Sequence, residues 1–291
     1  MLLVTLLWST AGVVTRHLDA ARSFEVTFWR SAFNAVALGV ALRWMRGPRL
    51  WPELAAARWP VWVSALCWAV MFTAFMLALT LTGVANVLVT MALGPLVTAL
   101  FARVFLLHRL PLRTWVAIGA AGGGIAWMFG QAASADRPGA LLGSVVALAV
   151  PLAAAVNWTV LQHVGRRLRP DGRSDDMLGA VLIGAVLSAL ATLPLAWPLQ
   201  ASARDIGLLA LLGVFQLAVP CLLVVRLSRV LPAPELALLG LLEVVFGVLW
   251  TWLGAGEPPA PSALAGGALV LGALLVNEGL AWRARPAPAR G

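Results

Sequence analysis

The chain has 291 residues, of which 61% are hydrophobic and only 11% charged, and its mean hydropathy is +0.91; an ordinary soluble domain carries about 25% charged residues. This excludes a soluble globular protein and fits a polytopic membrane protein. The formal net charge of +9 does not point to nucleic acid, because the basic residues fall in short clusters between apolar runs, the pattern of loops that face an anionic leaflet.

Every basic residue is arginine, and lysine and tyrosine are both absent. With Ala, Leu, Val and Gly abundant, this reads as the codon bias of a GC-rich bacterial genome. Cys67 and Cys221 lie inside apolar runs as small hydrophobes, without metal-ligand or redox spacing.

A bilayer core about 30 Å thick takes about 20 apolar residues at 1.5 Å rise each. Such windows are expected near residues 1–18, 24–43, 60–81, 84–107, 112–130, 139–164, 177–197, 205–227, 233–253 and 261–282. The breaks between them, such as "RGPRLWPE", "RRLRPDGRSDD" and "GEPPAPS", combine proline, glycine and charge, which stop helices and stay in water. The expected fold is therefore all-α, with ten transmembrane helices.

The first span is read as retained rather than as a cleaved signal, and carries Trp8, Ser9 and Thr10. It starts without a basic leader, which leaves a start further upstream open. Arg30 falls in the second span. In the third, Trp68, Met71, Phe72, Phe75 and Met76 recur at helical intervals, a packing surface that also suits a permissive apolar ligand site. Arg103, near the inner end of the fourth, is read as snorkelling to the interface. Glycines in "GAAGGG" and "AGGALVLG" permit close helix approach in spans five and ten, within one chain or between two, so monomer and homodimer both stand. Asn157 and Trp158 lie well inside the sixth span. Gln216 lies mid-span in the eighth, four residues before Pro220, and a proline there frees a backbone carbonyl one turn earlier. In the ninth, Glu243 is the one carboxylate in the apolar run from about Leu236 to Trp252. A charge at that depth costs roughly 2.5 to 3.5 kcal/mol on insertion scales, so it needs a partner or a job.

Arginine placement orients the spans. With a cytoplasmic N-terminus, fifteen arginines fall in inside segments against Arg16, Arg22, Arg137 and Arg204 outside, and Arg30 and Arg103 lie within spans. Both termini are thus expected in the cytoplasm, as an even span count requires.

Sliding the chain by 149 residues lays "VTMALGPLVTALFARVFLLHRLPLR" on the stretch that holds "GLLEVVFGVLWTWLGAGEPPA". Gly94 then falls on Glu243 and Pro95 on Val244. A looser match sets "WSTAGVVTRHL" against "AAVNWTVLQHV". The chain reads as a first five-helix repeat over 1–130, a second over 139–282 and a cytoplasmic tail over 283–291. Because five is odd, the second repeat is expected inverted in the membrane, a recurrent plan of secondary transporters.

"LLWSTAGVVTRHL", Arg30 in "FEVTFWRSAFNAVAL", "LLEVVFGVLWTWLGAGEPP" and "LAGGALVLGALLV" together resemble the drug/metabolite transporter superfamily, EamA type, over essentially the whole chain. The resemblance implies a ten-helix inner-membrane carrier for small metabolites, often an exporter, with a tryptophan at the place of Trp8. The ninth-span motif usually has proline after the glutamate, where this chain has Val244.

The candidate substrate cavity comprises Trp8, Ser9, Thr10, Trp68, Phe72, Asn157, Trp158 and Gln216, whose hydroxyl, amide and indole groups suit the polar and aromatic parts of a small ligand. For Arg30 and Glu243 two readings stand open: an ion pair that fixes helix packing, or a substrate or proton-coupling role. His17, His108 and His163 sit at span ends, far apart, so no metal site is expected. The sequence carries no cofactor motif and no GxxxxGK[ST] loop for nucleotide phosphate. The expected function is secondary transport of amino-acid-like or amphipathic compounds across the bacterial inner membrane. A membrane-embedded enzyme and a non-transporting receptor or scaffold are the alternatives. The expected partners are the lipid bilayer and the substrate.

Overall fold

The computed structural model describes residues 1–21, 23–106, 112–133, 140–166, 177–231, 236, 239, 240 and 242–283. His108, most of the predicted loops at 131–138 and 165–176, the start of the ninth span and nearly all of the tail lie outside the described residues. Within them, every regular element is helical and no strand occurs. Helices stand at each predicted position: Leu2–Trp8 with Thr10–Thr15, Ser23–Arg46, Trp59–Leu81, Val84–Met91 with Gly94–Leu106, Leu112–Ala133, Ala140–Ala147 with Ala149–Arg166, Leu178–Ala196, 203–227, Leu242–Ala255 and Pro261–Arg283. Five of these stretches are long and apolar enough to cross a membrane: Trp59–Leu81, Val84–Phe101, Leu141–Val164, Leu178–Ala196 and Ala203–Leu227.

The halves pack on each other in an exchanged pattern. Ser23–Arg46 lies on Leu178–Ala196 and Leu112–Ala133 on Pro261–Arg283, each contact pairing the same place in the two repeats. The other large contacts come in couples. Trp59–Leu81 against Leu178–Ala196 is matched by 203–227 against Ser23–Arg46. Trp59–Leu81 against 140–166 is matched by 203–227 against 2–15, and Gly94–Leu106 against Ala149–Arg166 by Leu242–Ala255 against 2–15. These large contacts therefore recur at corresponding places in the two halves.

Two glycines let backbones touch across the joint. A Cβ on Gly213 would meet Phe33 Cβ at 2.6 Å and the Arg30 carbonyl oxygen at 2.7 Å, and one on Gly184 would meet Trp68 Cβ at 2.6 Å and the Ala65 carbonyl oxygen at 2.7 Å. Second-repeat helices thereby press directly on the helices that carry Arg30 and Trp68. Buried hydroxyls add fixed points: Ser188 Oγ lies 2.9 Å from both Ser31 Oγ and Thr73 Oγ1.

Among the described residues, four of the spans are interrupted or distorted. The first breaks at Ser9, the fourth at Ala92–Leu93 and the sixth at Leu148, while the eighth widens into a π-helix over Leu212–Ala218. Three of the four have a proline just downstream. Pro95, Pro151 and Pro220 lack the N–H that would bond the carbonyls of Met91, Ala147 and Gln216, and their rings crowd those carbonyls. At Ser9 the cause is different: the hydroxyls of Thr5, Ser9 and Thr10 turn back onto carbonyls three residues earlier, a contact that bends helices.

Candidate functional site

The breaks converge on one cavity of about 140 Å³, room for several waters at about 30 Å³ each in the liquid. Met91, Gly94 and Pro95 line it from the fourth-span break, Val150 and Pro151 from the sixth, Gln216 and Leu217 from the π-helix, and Trp8 from the first. Irregular backbone at membrane depth is tolerated where it borders a cavity rather than lipid, and π-bulges concentrate at functional sites. Both repeats contribute to the wall.

Most of the lining is apolar and aromatic. Trp68 packs edge-on against Trp158, with centroids 5.8 Å apart, and tilts against Phe72 at 5.4 Å. Phe75 offers its face to the Arg30 guanidinium at 5.6 Å, within cation–π range. These rings line the cavity together with Arg30 and Glu243.

Arg30 is 2% exposed. Its Nε and Nη2 donate to Gln216 Oε1 at 3.1 and 2.8 Å, and Gln216 Nε2 donates to the Trp8 carbonyl oxygen at 3.1 Å. Only this orientation of the amide works, since the guanidinium has no acceptor and a carbonyl has no donor. Gln216 therefore ties the first, second and eighth spans together. The remaining guanidinium nitrogen, Nη1, is buried without a hydrogen-bond partner.

Glu243 lines the same cavity and is 8% exposed. The direct bridge between Arg30 and Glu243 that their depths allow is not formed: among the described residues no ion pair within 4.0 Å joins them. Gln216, turned inward by the widened π turn, meets the guanidinium first. The two charges face one space without touching.

The predicted cavity residues divide. Trp8, Trp68, Phe72, Trp158 and Gln216 line the cavity with Arg30 and Glu243. Ser9, Thr10 and Asn157 stand outside its wall. Ser9 Oγ donates to the Leu6 carbonyl at 2.8 Å and accepts from Trp250 Nε1 at 3.2 Å, and Thr10 Oγ1 donates to the Leu7 carbonyl at 2.8 Å. Asn157 Oδ1 accepts from Ser64 Oγ at 2.6 Å. The hydroxyls of Ser9 and Thr10 are engaged by the helices around them and shape the break behind Trp8, whereas Asn157 Nδ2 is buried without a hydrogen-bond partner. Sequence reasoning missed Val150, Pro151, Met91 and Cys221 in the wall. "AVPLA" holds a proline inside an apolar run just as "LAVPC" does, and that signal would have found the first two.

Among the described residues no group of three or more His, Cys, Asp or Glu is arranged to hold a metal ion.

Comparison with known proteins places this geometry. The curated proteins give no match. Among solved structures, one protein crystal structure shares the fold with a TM-score of 0.68 at 21% identity, covering 98% of this chain and 97% of its own. The model of the EamA-like transporter family matches twice, over residues 1–130 and 141–278. These boundaries coincide with the exchange of contacts between the halves and with the joint that holds the cavity. The chain, a membrane protein built from two repeats of one transporter module, belongs to the EamA-like transporter family.

Proposed function

We propose that the protein is a secondary carrier that moves small amino-acid-like or amphipathic metabolites across the bacterial inner membrane by alternating access, in the direction of export. On this reading ten spans form two inverted five-helix repeats, with both termini in the cytoplasm. The observation that carries it is the cavity itself. It lies where the repeats meet, is bordered by interrupted helices, and holds a guanidinium and a carboxyl group that form no direct ion pair. A buried guanidinium with an unpartnered nitrogen is expensive until an anion reaches it. A zwitterion supplies that anion and an ammonium for Glu243, and the indole and phenyl rings receive its apolar side chain. Alternatively, a proton on Glu243 removes the charge between substrates, which would couple flux to the proton gradient.

The test is uptake and counterflow of a metabolite panel into proteoliposomes, with and without a pH gradient. Saturable exchange of an amphipathic zwitterion, weakened by Arg30→Gln, is the expected result. Absence of flux for every compound, from protein that remains folded, would remove the proposal.

A further inference from the structure

The cavity wall is uneven along the bundle axis. It reaches Met1, Leu236 and Val224, and Val224 lies about 30 Å along its helix from Ala203. Toward the other end the wall stops at residues such as Leu88, while Arg16 stands about 22 Å along the first span from Met1. That closed end is laced by polar contacts.

Arg16 is the hub. Its Nε pairs with Glu257 Oε2, its Nη2 reaches Glu257 Oε1 at 3.4 Å, and its Nη1 and Nη2 donate to the carbonyls of Leu79 at 2.9 Å and Thr82 at 3.0 Å. Glu257 Oε1 also accepts from the Val84 backbone N–H at 3.3 Å. One ion pair thus gathers the end of the first span, the turn between the third and fourth, and the turn between the ninth and tenth. Its side chains are only 26% and 27% exposed, so water weakens it less than a surface bridge. The neighbouring contacts are of another kind: Asp205 accepts the N–H groups of Asp19, Ala20 and Ala21, and Glu25 those of Gln200 and Ala201. They hold linkers to helix starts.

We infer that Arg16 and Glu257 form a gate latch, whose closure holds the cavity shut at this end and open toward Met1, and whose release lets the cavity face the opposite side. The inference rests on the transporter reading above. The latch fits a gate because every partner of Arg16 other than Glu257 is a backbone carbonyl at a helix end, where small rotations part the contacts without unfolding a helix. Glu257 follows Gly256, whose φ is +63°, a left-handed turn that aims the carboxylate back at Arg16 and disfavours other residues at 256.

The experiment measures distances between spin labels on two pairs of exposed sites, Ala20→Cys with Ala260→Cys at the latched end and Trp51→Cys with Val230→Cys at the other, in protein whose Cys67 and Cys221 are replaced by alanine. Glu257→Gln is expected to raise the population with a parted latched end about tenfold, the worth of one charge-assisted bond, and to shorten the opposite pair in the same molecules. Arg16→Gln should do the same from the other partner, whereas Arg204→Gln, which breaks the exposed pair with Asp19, should leave both distances as they are. Unchanged distances in both latch variants, or a parted latched end with the other pair unmoved, would overturn the inference, since the first makes the pair idle and the second makes it a local staple. Shifted distances in the labelled protein, together with no flux of any compound through the protein that keeps Cys67 and Cys221, would keep the latch and sink the transporter reading.

Discussion

Replacing Gln216 by leucine removes the acceptor for two guanidinium hydrogen bonds and the donor to the Trp8 carbonyl, while keeping side-chain bulk in the wall. Hydrogen bonds to a charged group are worth about 1.5–3 kcal/mol each and a neutral one about 1 kcal/mol, which sums to about 4–7 kcal/mol as an upper bound. Cavity water returns part of it, because Arg30 already borders space large enough for several molecules, so about 3 kcal/mol is expected. The variant that removes both members, Arg30→Met with Gln216→Leu, strands no charge and should lose less than the two single changes together, with a coupling of about 2 kcal/mol. Thermal unfolding of the four proteins in one detergent measures the cycle. Additive losses would refute the reasoning, because they would mean that Gln216 holds the fold without holding Arg30.

Glu243→Gln keeps the shape of the side chain but cannot ionise. If Glu243 carries the coupling proton, the variant should preserve substrate exchange and abolish flux driven by a pH gradient; if it binds the substrate's ammonium, exchange should weaken as well. Wild-type flux and pH response in proteoliposomes would defeat the coupling role. Gly213→Ala places a methyl 2.6 Å from Phe33 Cβ and 2.7 Å from the Arg30 carbonyl oxygen, so the helices must part; a loss of about 1–3 kcal/mol is expected, read as a lowered unfolding temperature, and an unchanged one would contradict the close approach. Single cysteines placed within 131–138 and within 165–176 should react with an impermeant reagent from opposite sides of the membrane, and labelling from one side would overturn the proposed orientation.

Much of the architecture was legible because a membrane imposes one simple requirement, a run of apolar residues of fixed length, and because the module is duplicated. The 149-residue offset put Gly94 and Pro95 on Glu243 and Val244, and all four line the cavity. The site was legible where chemistry is costly: Arg30, Glu243 and Gln216 are conspicuous in hydrocarbon wherever they stand. Partner choice was not. Depth along a helix is read from sequence, but the angle around it is set by packing, and a π turn of seven residues changes that angle for Gln216 without leaving a mark in composition. For the same reason Ser9 and Thr10, polar and close to Trp8, read as lining although their hydroxyls are taken up by their own helix. Arg16 and Glu257 were seen as loop charges, because nothing short of the folded turns brings residues 241 positions apart together.

A duplicated module that stayed symmetric would present like groups to the shared cavity, two carboxylates or two guanidinia, and each pair would raise the cost of burying the other. The chain avoids this by dividing the chemistry between its repeats. The first supplies Arg30 and the proline break at Pro95; the second supplies Glu243 and the amide of Gln216. Arg30 is oriented by a neutral group rather than paired with the acid, which on the proposed function leaves both groups for a ligand. A direct bridge between them would have to be broken each time a charged substrate entered, at the cost of two desolvated ions. Gln216 lowers that cost, because it satisfies two of the guanidinium's nitrogens and leaves the third turned out of any protein bond. Neither half builds this cavity alone, since every polar contact of Arg30's guanidinium crosses from one repeat to the other.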